Sequence, residues 1–313
     1  MNPAWSVIFL TTLLGVGQGL YFALFGVEFA AALGAGIKPP PVEYYVAGSV
    51  LSLAFLAGGL IASVFHLGHP ERGWRAASMW RTSWLSREVI VLPAFMACVF
   101  SYGVAHYSGG VATLWIGAAG ALACVALFVC TAMIYACLKF LQEWHTPLTL
   151  VNYFLLGCAS GLTFAAGMAS FAAPALTATL AACASAFTLA GLVSRVASLA
   201  RNARLKHKST LQTALGIKHP KIQQKAQGQM GGSFNTREFF HGKSVRVLRS
   251  VKWFFLGAAF VLPLPLLAGG AALGSSLLLA AAFAVQFAGL VAERWFFFAQ
   301  ARHPQNLYYE VVS

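Results

Sequence analysis

Eight apolar stretches alternate with polar ones along the chain, at about 4–33, 46–66, 89–106, 112–136, 148–171, 174–195, 252–273 and 276–298. Each is near the ~20 residues a helix needs to cross about 30 Å of hydrocarbon. None shows the roughly ten-residue alternation of an outer-membrane barrel strand. The pattern predicts an all-α integral membrane protein, a bundle of eight transmembrane helices. Small residues recur at Gly15, Gly17, Gly19 and Gly58–Gly59, where they let membrane helices approach closely. Pro39–Pro40–Pro41 punctuates the first loop, and Pro174 separates the fifth and sixth segments. The longest polar stretch, about 196–251, holds too few apolar residues for a core of its own. Residues 1–313 are therefore read as one anchor domain with a long basic loop between helices 6 and 7. No cleavable signal is expected, because Met1 to Ala4 lacks a charged leader and the first apolar run is too long.

Composition sharpens this picture. The chain is 59% hydrophobic and 9% charged, against about 25% charged in a soluble domain. So few charges suit a bilayer, where backbone groups are satisfied internally and charges are costly. The net charge of +13 would suggest nucleic acid in a soluble protein. Here the basic residues sit in a few loops and topology explains them first, so no nucleic-acid partner is expected. An even number of spans puts both termini on the side of the second, fourth and sixth loops. Of 21 Lys and Arg residues, all but Lys38 fall on that side. The positive-inside rule then predicts both termini and the basic loops in the cytoplasm.

The six cysteines, Cys98, Cys124, Cys130, Cys137, Cys158 and Cys183, lie in or beside apolar runs and form no CxxC pair. They read as small membrane-embedded residues, not as iron–sulfur or zinc ligands. His66 and His106 end successive antiparallel spans and so lie at opposite faces, which argues against a shared haem. His69 and His145 fall in loops. No metal site is predicted in this chain.

The densest polar chemistry lies from Leu67 to Arg87. His66 closes the second span and Glu88 opens the third, with Ser86 the expected N-cap. The hairpin thus carries an imidazole and a carboxyl to one membrane face. A quinone headgroup needs this setting: an apolar slot for ring and tail, and proton carriers for its two carbonyl oxygens. Histidine titrates near neutral pH, and a partly desolvated glutamate rises toward that range. The plainer reading makes His66 and Glu88 interfacial residues paired with nearby arginines. Arg72, Arg75, Arg81 and Arg87 are then topology determinants, with Arg72 the best exception, and the tryptophans form a belt. Elsewhere, Glu28 is expected to snorkel to water. Gln286 and Asn152 are expected to hydrogen-bond between helices, and Lys139 and Glu143 to form a helical ion pair.

The run His66-Leu67-Gly68-x-Pro70-x-Arg72-x2-Arg75, followed by Trp84-Leu85-Ser86-x-Glu88, resembles the membrane anchor of the dimethyl sulfoxide reductase family. The resemblance covers the whole chain, and Met230–His241 resembles the proteobacterial branch. It implies an anchor without a redox cofactor of its own. It also implies two partners: a four-cluster iron–sulfur subunit and a molybdopterin catalytic subunit. The residues matching His66 and Glu88 would bind and react with ubiquinone or menaquinone, with Arg72 implicated. His69, Arg75 and Trp84 of the same hairpin complete the candidate binding set. The very basic sixth loop departs from the respiratory sulfoxide reductase anchors. With the docking face cytoplasmic, the resemblance points to the sulfite-oxidising branch, passing electrons to quinone. The alternatives are a menaquinol-oxidising anchor of a dimethyl sulfoxide or related S- or N-oxide reductase, and a transporter or scaffold without electron transfer. Against a transporter, the sequence shows no convincing internal repeat and no midplane ionisable cluster.

Overall fold

The structure, a computed structural model, describes residues 1–223, 241–304 and 306. The stretch Met230–Phe240, with Glu238, lies outside the described residues. Eight long helices carry the fold: α1 Trp5–Ala32, α2 Val42–Val64, α3 Trp84–Tyr107, α4 Thr113–Ala136, α5 Pro147–Ala172, α6 Thr177–Ala203, α7 Val245–Leu273 and α8 Ser276–Ala299. The shortest has 23 residues, about 35 Å at the helical rise, so each is long enough to span. No strand occurs among the described residues. The all-α, eight-span expectation holds.

Helix ends follow local chemistry. Ser83, Ser244 and Ser275 each cap a helix, accepting from the backbone N–H three residues on. Thr146 caps α5, with Pro147 at the first helical position. Gly274 ends α7 at φ 61°, a left-handed conformation that glycine adopts without strain. Inside α7 the chain widens to one π-turn, Gly257–Val261, just before Pro263. The Leu262 N–H reaches back to Gly257 O at 2.9 Å, which absorbs the irregularity that proline imposes.

α1 is the hub. Two thirds of its spanning window (67%) is buried, against 28% for α2 and α3, and it packs on α2, α4, α5 and α8. The α1–α5 crossing is set by glycine: a Cβ on Gly19 or Gly161 would collide with the facing backbone. The Met1 nitrogen donates to Ala301 O at 2.8 Å. The N-terminus therefore lies beside the end of α8, at the end of the bundle that carries the basic loops (the basic-loop face below).

Several local expectations change. α6 runs on to Ala203 and α7 begins at Val245, so helix takes up both ends of the stretch read as loop 196–251. Arg201, Arg246 and Arg249 of that stretch are helical. The N-cap of α3 is Ser83, not Ser86, which is buried in the first turn. Residues 139–143 are not helical. Glu143 accordingly turns inward, within 3.9 Å of His207 Nε2, and accepts the Arg302 N–H. Glu28 does not snorkel: Tyr102 donates to it at 2.7 Å and His106 Nε2 lies at 3.6 Å. Gln286 does bridge helices, donating to Thr188 Oγ1 and Ala259 O, and Asn152 donates to Ser198 Oγ.

Candidate functional site

α2 stops at Val64, and Phe65 and His66 turn the chain out of the span. A 3₁₀ helix, Pro70–Met79, follows with no buried residue. The Trp–Arg alternation of the sequence becomes a chain of stacked pairs. Arg75 covers Trp74, Arg81 covers Trp80, and Arg87 lies 4.2 Å from the Trp84 ring. Arg87 also donates to Trp80 O and Arg81 O, both at 2.9 Å, and so ties the loop to the start of α3. His69 Nδ1 lies 3.0 Å from Glu71 Oε1, and Arg72 Nε lies 3.8 Å from the same oxygen. All three of these side chains are exposed.

His66 and Glu88 sit at the same end of the bundle in opposite surroundings. His66 is exposed, and its side chain makes no hydrogen bond or ion pair among the described residues. Desolvation by the adjoining chain still holds its pKa below the ordinary 6.5. Glu88, in the second turn of α3, is 6% exposed, and Thr131 of α4 donates to its Oε1. No hydrogen bond joins His66 to Glu88. The hairpin motif therefore splits into a surface part, with His66, His69, Arg72, Arg75 and Trp84, and a buried carboxyl behind it.

An apolar groove of about 340 Å³ opens between α1 and α2 and reaches Phe65, the residue before His66. Trp5, Phe9 and Leu13 of α1 form one wall; Gly58, Ile61 and the adjoining Phe65 form the other. A small ligand pocket spans about 300–1,000 Å³ and is mostly apolar, with a few polar groups. The groove is apolar except for Ser6, and its lining ends at Phe65, the residue before His66.

A buried ionic cluster joins the sites that sequence reasoning missed. Arg195 Nε lies 2.7 Å from Glu293 Oε1, and Arg294 Nε lies 3.4 Å from Glu293 Oε2. All three are nearly inaccessible. Arg195 also lies over Phe255, and Arg294 over Tyr153 at 3.9 Å. A signal for it exists in the sequence, since ionisable residues inside apolar segments mark function or pairing by default. Hydropathy obscures that signal by placing Arg195 last in its segment and Glu293–Arg294 near the end of theirs. A second pairing, Glu28 with Tyr102 and His106, lies at the opposite end of the bundle.

The family model described as "DMSO reductase anchor subunit (DmsC)" matches residues 1–298. The chain belongs to this anchor family. Along its full length it is 54% identical, over 327 aligned positions, to a sulfite dehydrogenase subunit of Allochromatium vinosum, which is likewise covered from end to end. The eight spanning helices make this anchor a multi-pass membrane protein.

Proposed function

We propose that this anchor, acting as one unit over residues 1–313, is the quinone-reactive subunit of a sulfite-oxidising molybdoenzyme. Family membership and the relative's name support the molybdoenzyme and sulfite parts of this reading. The observation that carries the quinone part is His66 standing exposed and unpaired directly after Phe65, which lines an apolar groove, with the buried Glu88 at the same end of the bundle. The groove takes an apolar ring and tail, so the residues present fit a quinone.

Sulfite plus water yields sulfate, two electrons and two protons. In this reading the oxidation takes place at molybdopterin in a catalytic partner. An iron–sulfur partner carries the electrons to the membrane, where a quinone accepts them with two protons. His66 hydrogen-bonds a carbonyl oxygen and delivers one proton. Glu88, shielded from bulk water, holds another. Arg72 and Arg75 supply positive charge at the rim, with His69 and Trp84 completing the hairpin wall. The basic loops dock the partners through charge complementarity. Because nearly all Lys and Arg lie at that end, the docking face is assigned to the cytoplasm of a bacterial inner membrane.

The test uses the complex purified through a tag on this chain. Sulfite-dependent reduction of a soluble quinone analogue is expected, with little quinol-driven sulfoxide reduction. Dominant sulfoxide reduction would overturn the substrate and direction while leaving the family assignment intact.

A further inference from the structure

Among the described residues of the spanning helices, four charged residues are more than nine-tenths buried: Glu88, Arg195, Glu293 and Arg294. Arg195, Glu293 and Arg294 together carry one excess positive charge. An isolated charge in such surroundings is strongly disfavoured. Glu88 is the other buried carboxyl of the spanning helices, and no direct ion pair joins it to either arginine.

A cavity of about 20 Å³ is bounded by α1, α4, α5 and α8. Its polar lining includes Thr12, Gln18, Thr131, Tyr153, Ser160 and Arg294, and all of these are buried. A single water needs roughly 10–15 Å³ and two to four polar partners. Thr131 is shared: it lines the cavity, and its hydroxyl donates to Glu88. Arg294 of α8 lines the same cavity.

We propose that this chamber holds a structural water that couples Glu88 to Arg294, and that Thr131 and Arg294 are positioning residues for the Glu88 proton. This rests on the reading of Glu88 as a proton carrier of the quinone site. Arg294 favours the carboxylate through the chamber, and Thr131 orients it. The Glu88 proton is thereby held by an interior network and not by the exposed hairpin. The titratable groups that interact with Glu88 are Cys130 and Tyr135 of α4 and Tyr153 of α5, with Arg87 next to it on its own helix and Arg294 of α8 lining the chamber.

The experiment is an infrared pH titration of the purified complex. It follows the carbonyl stretch of the protonated Glu88 carboxyl, assigned by its loss in Glu88→Gln. Arg294→Gln should move the midpoint upward by about half a pH unit or more, less than the ~1–3 units of a direct ion pair. Thr131→Val should also raise it, and Thr131→Ser should restore it. An unmoved midpoint in an assembled Arg294→Gln complex overturns the proposal. If that variant does not assemble, an unmoved midpoint in Thr131→Val overturns it. Quinone reduction measured in parallel separates the two readings. A shifted midpoint with unchanged turnover leaves the chamber standing and removes Glu88 from quinone chemistry.

Discussion

Arg195 of α6 and Glu293 of α8 meet at 2.7 Å, both almost fully buried, a turn or more inside the ends of their helices at Ala203 and Ala299. Glu293 also faces Arg294, so one carboxylate stands between two guanidiniums. The pair joins helices that are far apart in sequence, and it clamps them near the basic-loop face. Removing one partner of a buried pair leaves an uncompensated charge, at about 3–5 kcal/mol. Glu293→Ala should therefore sharply lower the yield of folded anchor and the melting temperature of what remains. Replacing both Arg195 and Glu293 by leucine should be milder than the single change. Melting of detergent-solubilised anchor, followed by size-exclusion chromatography, measures the difference.

The α1–α5 crossing makes a second prediction. A methyl group on Gly161 would strike the backbone of Gly19 and Leu20. Backbone cannot yield as a flexible side chain can, so Gly161→Ala must separate the two helices. Gly26 has open space around its Cβ position, and Gly26→Ala serves as the control. Gly161→Ala is expected to destabilise by about 1–3 kcal/mol, as overpacking does, and Gly26→Ala to leave stability nearly unchanged. Parallel melting curves decide it.

The environment of His66 bears on pH. Its pKa lies below the ordinary 6.5 because the neighbouring chain desolvates the imidazolium. Its protonated fraction therefore falls as pH rises through a midpoint under that value. If His66 delivers a proton to quinone, turnover should decline along the same limb. His66→Gln should flatten this limb while lowering the maximum. A limb unchanged in His66→Gln would assign it to another group.

The spans were legible because a bilayer imposes length and apolarity on every crossing segment, whatever its neighbours. Their ends were less so. Ser83 rather than Ser86 caps α3, since Trp84 and Leu85 fit an interfacial first turn as readily as a loop. α6 and α7 extend through basic residues that hydropathy alone assigns to a loop. The hairpin chemistry was visible as a dense polar run, and His66 and Glu88 do lie at one end of the bundle. Their separation into an exposed imidazole and a buried carboxyl was not visible, because it depends on Thr131 arriving from α4. The Arg195–Glu293–Arg294 cluster depends likewise on α6 and α8 meeting, which no local pattern reveals.

In the proposed function His66 serves quinone reactivity and not assembly. The most direct measurement compares His66→Ala with the unaltered complex in two assays. One is sulfite-dependent reduction of a quinone analogue; the other is sulfite oxidation with an artificial electron acceptor that draws from the partner subunits. A loss of about 10²-fold or more is expected in the quinone assay, the scale of a positioned proton-transfer group, with the artificial-acceptor rate unchanged. Equal loss in both assays, or full quinone activity in the variant, would contradict it.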